Sequence, residues 1–178
     1  MNPEDIIQKH YRQDRDLYKI LIDHSYDVAA KALSIAKKHP EMNLDTTFIH
    51  EAAILHDIGI FKTRSPKIHC YGNYPYICHG YLGSELLKAE GYPRHALVCE
   101  RHTGTGLSLK RIIEQNLPLP HRDMQPESME EQLICFADKF FSKSSPGKEK
   151  KPDKIRRSLA KHGQEPVDRF DAWYKMFM

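Results

Sequence analysis

The feature of this sequence that most restricts its fold is the spacing of its apolar residues, which recurs at three and four positions. The stripe through Leu17, Leu21, Val28 and Ile35 predicts one long helix that stops at His39-Pro40. The same period predicts further helices over Thr46 to Ile58, His79 to Glu90, Pro93 to His102, Ser108 to Asn116, after Ser128, and twice after Pro152. Strand signals are weak, and segment 61–78 shows no period, so we interpret it as a loop. We therefore predict an all-α fold.

The composition is that of one soluble domain, since 40% of the 178 residues are hydrophobic and 29% are charged. We expect a single domain over 1–178, with a core over about 17–143 and a helical C-terminal extension over about 152–178. No stretch approaches the roughly 18 apolar residues of a membrane span, and the N-terminus has no apolar signal core. We therefore expect a cytoplasmic protein with no membrane contact. The four cysteines lack C-x-x-C spacing, and we expect them to be reduced.

The positive charge is concentrated between Lys143 and Lys161, a segment rich in lysine and arginine. A single solvated basic helix face explains such a run. Because no aromatic residues interleave with these charges, we expect no nucleic-acid binding there. The C-terminal RFDAWYKMF is interpreted as a helix that packs on the bundle, and a homodimer contact is the alternative.

Histidine and aspartate occur on the helix faces that should be buried. His56 lies four residues after Ala52, and His24 lies inside its own apolar stripe. The full set is His24, His56, Asp57, His79, His102 and Asp138. An unpaired buried charge costs several kcal/mol, and few lysines or arginines share these faces. We infer that these residues converge on metal ions.

Four imidazoles and two carboxylates suit first-row transition ions better than calcium. Six ligands are too many for one metal that keeps an open position, but they are enough for two metals bridged by Asp57. Two divalent ions would outweigh the two carboxylates in charge, attract an anionic substrate and lower the pKa of a bound water. This equipment indicates metal-assisted hydrolysis of a phosphate ester.

The order of these residues over about 22–143 resembles the HD-domain superfamily of metal-dependent phosphohydrolases, and HDIG at 56–59 resembles its HDIG subgroup. The resemblance implies a helical bundle that cleaves phosphomonoesters or phosphodiesters, often of nucleotides. It favours two iron or manganese ions, with nickel, cobalt or zinc as alternatives. By position, His24, His56, Asp57 and Asp138 match the ligands of the first metal, and His79 and His102 match those of the second.

The candidates on the substrate side are Asp57, Lys62 and Lys139. Many HDIG members have lysine directly after the glycine, where this chain has Ile60, so Lys62 would take over from the following loop. Lys139 follows Asp138 as a basic residue commonly does in the family. The expected partner is a small phosphorylated substrate, a nucleotide in our interpretation. Two alternatives remain open, namely a mixed-valence di-iron oxygenase of HD type and a non-catalytic metal-containing regulatory or binding module.

Overall fold

The computed structural model describes residues 1–178. The helices are α1 Pro3–Tyr11, α2 Arg15–Lys38, α3 Thr46–Leu55, α4 His79–Ala89, α5 Pro93–Arg101, α6 Leu109–Glu114, α7 Met129–Asp138, α8 Pro152–Ala160 and α9 Gln164–Phe177. Three short strands, β1 Thr63–Ser65, β2 Cys70–Tyr71 and β3 Tyr74–Pro75, complete the chain. The predicted all-α fold is confirmed. No helix combines the length and the apolar character that crossing a membrane requires.

The long helix α2 is the centre of the bundle. The carboxylate of Asp14 accepts the backbone N–H of Leu17, so the helix begins with a satisfied N-cap. Its apolar stripe, which includes the fully buried Leu21 and Val28, packs on α3 and α7. His24 lies within this stripe and is therefore held at the interior of the bundle.

Helix α3 ends earlier than its sequence pattern predicts. The expected helix extended to Ile58, whereas α3 stops at Leu55 and a 3-10 turn follows over Ile58–Lys62. The reason is the contact between this turn and α4, because a Cβ on Gly59 would lie 2.2 Å from the carbonyl oxygen of His79. Only glycine allows the two backbones to approach this closely. The turn places Asp57 beside the start of α4.

Segment 61–78, predicted as a loop, contains a small three-stranded sheet. Strand β1 is central, with Arg64 opposite Tyr71 in antiparallel β2 and Thr63 opposite Tyr74 in parallel β3. The backbone N–H of Gly72 donates to the carbonyl of Thr63 at 2.8 Å. Strands this short carry no readable alternation, so the sequence pattern could not indicate them.

The C-terminal helices pack on the bundle of their own chain. On α9, Phe170 and Phe177 are buried against Phe136 of α7, with ring centroids 5.3 Å and 5.5 Å away. The indole N–H of Trp173 donates to Gln132 at 2.9 Å. The two helices expected after Pro152 are confirmed, and so is the packing of the C-terminal segment on the bundle.

Candidate metal centre

Six buried or nearly buried side chains from five helices meet inside the bundle. Each lies in or at the end of a helix: His24 in α2, His56 and Asp57 after α3, His79 at the start of α4, His102 after α5, and Asp138 at the end of α7. The structure therefore brings together all six residues that the sequence pattern singled out.

The first group consists of His24, His56, Asp57 and Asp138, whose ligand atoms all lie within 4.8 Å of one another. Asp57 Oδ2 is 3.2 Å from Nε2 of His24 and 3.0 Å from Nε2 of His56. Asp138 Oδ1 is 2.9 Å and 3.4 Å from the same two nitrogens. Two imidazoles and two carboxylates thus face one point.

The second group consists of Asp57, His79 and His102. Asp57 Oδ1 lies 3.3 Å from Nε2 of His79 and 3.3 Å from Nε2 of His102, and the two nitrogens are 3.0 Å apart. Asp57 therefore turns one oxygen toward each group, which is the arrangement that a bridging carboxylate requires.

The histidine tautomers explain why a cation fits. Nδ1 of His56, His79 and His102 lies 2.7 Å, 2.6 Å and 2.7 Å from the backbone carbonyls of Ala53, Tyr76 and Cys99. Because a carbonyl only accepts, Nδ1 carries the hydrogen in each ring and Nε2 of the neutral imidazole presents a lone pair. The second group is then three acceptors with no hydrogen among them.

Burial makes this arrangement costly unless a cation is bound. Nε2 of His56 and Oδ1 of Asp57 have no partner in hydrogen-bonding geometry, and Oδ2 of Asp57 meets the ammonium group of Lys143. Buried polar atoms without partners cost about 1–3 kcal/mol each, and more when they are charged. The donor set of imidazole nitrogens and carboxylate oxygens therefore fits transition-metal ions in both groups.

The protonation states agree with ligand roles in the second group. Burial lowers the pKa of His79 to about 3 and also lowers the pKa of His102, so both rings are neutral near pH 7. Burial alone would raise the pKa of Asp57, but Lys143 and the histidines hold it well below its usual range. Asp57 is therefore ionised, as a metal ligand must be.

In the first group, the two carboxylates outweigh burial in setting the pKa of His56. Burial alone would lower the pKa of His56, but Asp57 and Asp138 raise it to about 10. The two carboxylates therefore draw a cation, either a proton or a metal ion, onto Nε2 of His56.

Two lysines approach the carboxylates, and Lys62 is not one of them. Nζ of Lys143 lies 2.6 Å from Asp57 Oδ2, and Nζ of Lys139 lies 2.8 Å from Asp138 Oδ2 and donates to the carbonyl of His102. Although burial opposes it, Asp57 raises the pKa of Lys143. Nζ of Lys62 instead lies 5.8 Å from the centre of the Phe61 ring. The structure thus brings Lys139 to the centre, leaves Lys62 outside it, and adds Lys143, which no sequence pattern marks as a site residue.

A cavity of about 530 Å³ adjoins the first group. His24 and Asp138 line its inner end, and α8 lines its outer side with Lys154 and Ser158. Its further basic residues are Lys67, Lys139, Lys143, Lys150 and His162. The basic segment interpreted as a solvated face thus contributes lysines to a cavity beside the candidate metal centre. This corrects the interpretation for the partly buried Lys143 and Lys150, while Lys154 lies exposed on α8.

Comparison with known proteins gives a family and several relatives. The family model described as HD domain matches residues 21–142. An uncharacterized protein of Methanocaldococcus jannaschii is 31% identical over 124 residues, which are 68% of this chain and 66% of that protein. The tRNA (cytidine(56)-2'-O)-methyltransferase of Thermoplasma volcanium is 31% identical over 123 residues, 68% of this chain and 32% of the enzyme.

The enzyme of the same name from Picrophilus torridus is 32% identical over 124 residues, 69% of this chain and 32% of its own length. The chain therefore spans just under two thirds of the first relative and about one third of each methyltransferase. No solved structure matches the chain.

Proposed function

Because this chain belongs to the HD domain family, we propose that it is a metal-dependent phosphohydrolase that cleaves a phosphate ester of a nucleotide. The observation that carries the proposal is the position of Asp57, which turns one oxygen toward each of two imidazole groups beside a lysine-lined cavity.

We assign one ion to each group, with Asp57 shared, and we favour iron or manganese over nickel, cobalt and zinc. Ions held there would supply an activated water and would polarise an oxygen of the phosphoryl group. Two divalent ions bring four positive charges against the two carboxylates, Asp57 and Asp138. The surplus positive charge favours a phosphate ester over a neutral substrate.

The chain's own cations have separate tasks in this proposal. Lys139 is held between Asp138 and the carbonyl of His102, so it positions two ligand-bearing segments relative to each other. Lys143 reaches Asp57 Oδ2 from the wall of the cavity, and we assign to it, in place of Lys62, the contact with phosphoryl oxygens. A preorganised cation beside developing charge is worth roughly a factor of 10² to 10³ in rate.

A nucleotide substrate is favoured by an aromatic side chain in the cavity lining. Tyr76 lines the cavity, and its ring stacks on that of His79 at 4.6 Å with an interplanar angle of 26°. A tyrosine ring at the edge of a phosphate site offers a surface on which a base can stack. Two relatives whose names describe action on tRNA support nucleotide chemistry. Methyl transfer is not carried over, because this chain aligns with about a third of each of them.

The decisive experiment is an anaerobic screen of phosphate esters and nucleotides with manganese or iron(II), together with the metal content of the purified protein. We expect up to two ions per chain, phosphate release without dioxygen, and loss of both in Asp57→Asn. Oxygen consumption with a mixed-valence iron signal and no phosphate release would identify an oxygenase instead. Metal uptake without turnover on any ester would leave a binding module.

A further inference from the structure

The cations of the cavity fall into two sets that differ in their partners. At the inner end, Lys139 pairs with Asp138, and Lys143 pairs with Asp57. Toward the outer side, Lys67, Lys150 and Lys154 form no ion pair with any carboxylate. Asp138 is the one carboxylate residue in the cavity lining. The outer half therefore has positive charge that no group of the protein neutralises.

Lys150 is fixed in the cavity wall and lies close enough to Lys154 for their charges to interact. Lys150 is fixed because its ammonium group donates to the carbonyl of Phe141 at 2.8 Å and its backbone N–H donates to that of Phe140 at 2.7 Å. Burial lowers the pKa of Lys150, and although Asp138 acts in the opposite direction, the neighbouring lysines, including Lys154, lower it as well. Like charges brought together in this way repel, and an anion between them relieves the repulsion.

Resting on the proposed function, we propose that the outer half of the cavity binds a second phosphoryl group of the substrate. The substrate class is then a small molecule phosphorylated at two positions, with one phosphoryl group at the metal centre and the other between Lys67, in the 3-10 turn between β1 and β2, and Lys154 of α8. The hydroxyl of Ser158 and the ring of His162 line the same side and offer further donors.

The geometry favours a small molecule over a polymer. These cations line a concave space of about 530 Å³, within the range of ordinary ligand cavities, rather than a stripe along the surface. A strand of nucleic acid would instead need an extended groove with repeated stacking positions.

The test compares adenosine 3′,5′-bisphosphate with adenosine 3′-monophosphate and adenosine 5′-monophosphate as substrates with manganese. We expect kcat/KM for the bisphosphate to be at least about tenfold higher, because charge-assisted hydrogen bonds to the second phosphate add binding. The double variant Lys67→Met/Lys154→Met should remove this preference and leave the monophosphate rates within about twofold. Lys148→Met changes an exposed lysine of the same segment that does not line the cavity, and it should keep the preference.

Calorimetry with the same nucleotides separates this inference from the proposed function. If no ester is cleaved, tighter binding of the bisphosphate that the double variant loses still supports the second phosphate site. Equal binding of bisphosphate and monophosphates, or a preference that survives the double variant, overturns it. A 5′-phosphorylated oligoribonucleotide that binds more tightly than the bisphosphate would overturn the assignment to a small molecule.

Discussion

The sharing of Asp57 between the two groups can be tested by thermal unfolding of Asp57→Asn. Asn keeps the size of the side chain but removes the negative charge. The two carboxylate oxygens of Asp57 lie 3.0–3.3 Å from four imidazole nitrogens. If Asp57 bridges, this single substitution weakens both metal positions. Substitution of His79, which belongs only to the second group, should weaken that position and spare the first.

The size of the expected rise in Tm follows from the linkage between metal binding and folding. One metal position filled at a free concentration of about 100 times its Kd stabilises the folded state by about 2.7 kcal/mol. For a chain of this length, each kcal/mol raises Tm by about 2–4 °C, so each position adds about 5–11 °C. We expect manganese to raise the Tm of the wild type by about 10–20 °C if both positions fill. We expect His79→Ala to retain about half of that rise and Asp57→Asn to retain almost none.

The assay is differential scanning fluorimetry of protein stripped by chelation, with and without added manganese. A matched control is His95→Gln, because His95 is partly buried and pairs with Glu51 at 3.0 Å but belongs to neither group. This control should keep the full metal-induced rise. A rise in Asp57→Asn equal to that of the wild type would refute a shared carboxylate.

Three further predictions concern the cation beside the centre and the packing around it. Lys143→Met should lower turnover on a phosphate ester by at least about 10²-fold, while Lys62→Ala should leave turnover within about twofold of the wild type, as measured by phosphate release with saturating metal. A larger loss in Lys62→Ala than in Lys143→Met would return the phosphate contact to Lys62. Gly59→Ala should lower the free energy of unfolding by about 3 kcal/mol in urea titrations, because its Cβ would overlap the backbone of α4; an unchanged midpoint would contradict this. Phe170→Ala should cost about 3–5 kcal/mol in the same titration but leave the metal content of the folded protein unchanged, because it is buried on α9 away from the ligands.

The inward ligands were readable in the sequence because helical geometry fixes which residues share a face. His24 and Asp138 lie at the spacing of their apolar neighbours, and burial follows from that register. Helix caps follow the same kind of local rule, since Asp45 accepts from Phe48 N–H and Ser128 accepts from Glu131 N–H. Local rules therefore sufficed for most of the helices and for the convergence of the ligands.

Helix α1 was missed although its start carries a signal. Asn2 caps it through the N–H of Glu4, Pro3 occupies its first turn, and Ile6, Ile7 and Tyr11 form its buried face. The stripe covers little more than two turns, and so short a pattern is easily passed over.

Lys143 and the cavity were not readable, because no periodic pattern covers the segment between α7 and α8. A run of lysines in a sequence is usually solvated, and whether its side chains face the interior depends on where the chain turns. Here the N–H of Lys150 bonds to the carbonyl of Phe140, and that of Gly147 bonds to Asp27 of α2. These contacts, distant in sequence, turn the segment back over the ligands. Lys62 was favoured because it is near Asp57 in sequence, but the sheet that follows leads it away.

The hydrogen bonds behind the histidines have a consequence for how such a centre is inherited or rebuilt. In each of three cases the acceptor of the Nδ1 hydrogen is the carbonyl three residues earlier. The segments Ala53–His56, Tyr76–His79 and Cys99–His102, here called cassettes, are therefore four-residue units that each fix the tautomer of their own histidine. Each cassette is pre-oriented by its own helical turn and needs nothing from its neighbours except position. A designer could therefore transplant the three cassettes onto another helical scaffold without a supporting outer layer. In this protein, nitrogen-15 spectra of the imidazoles should show the same Nδ1–H tautomer at all three histidines in a partly unfolded state that keeps its helices.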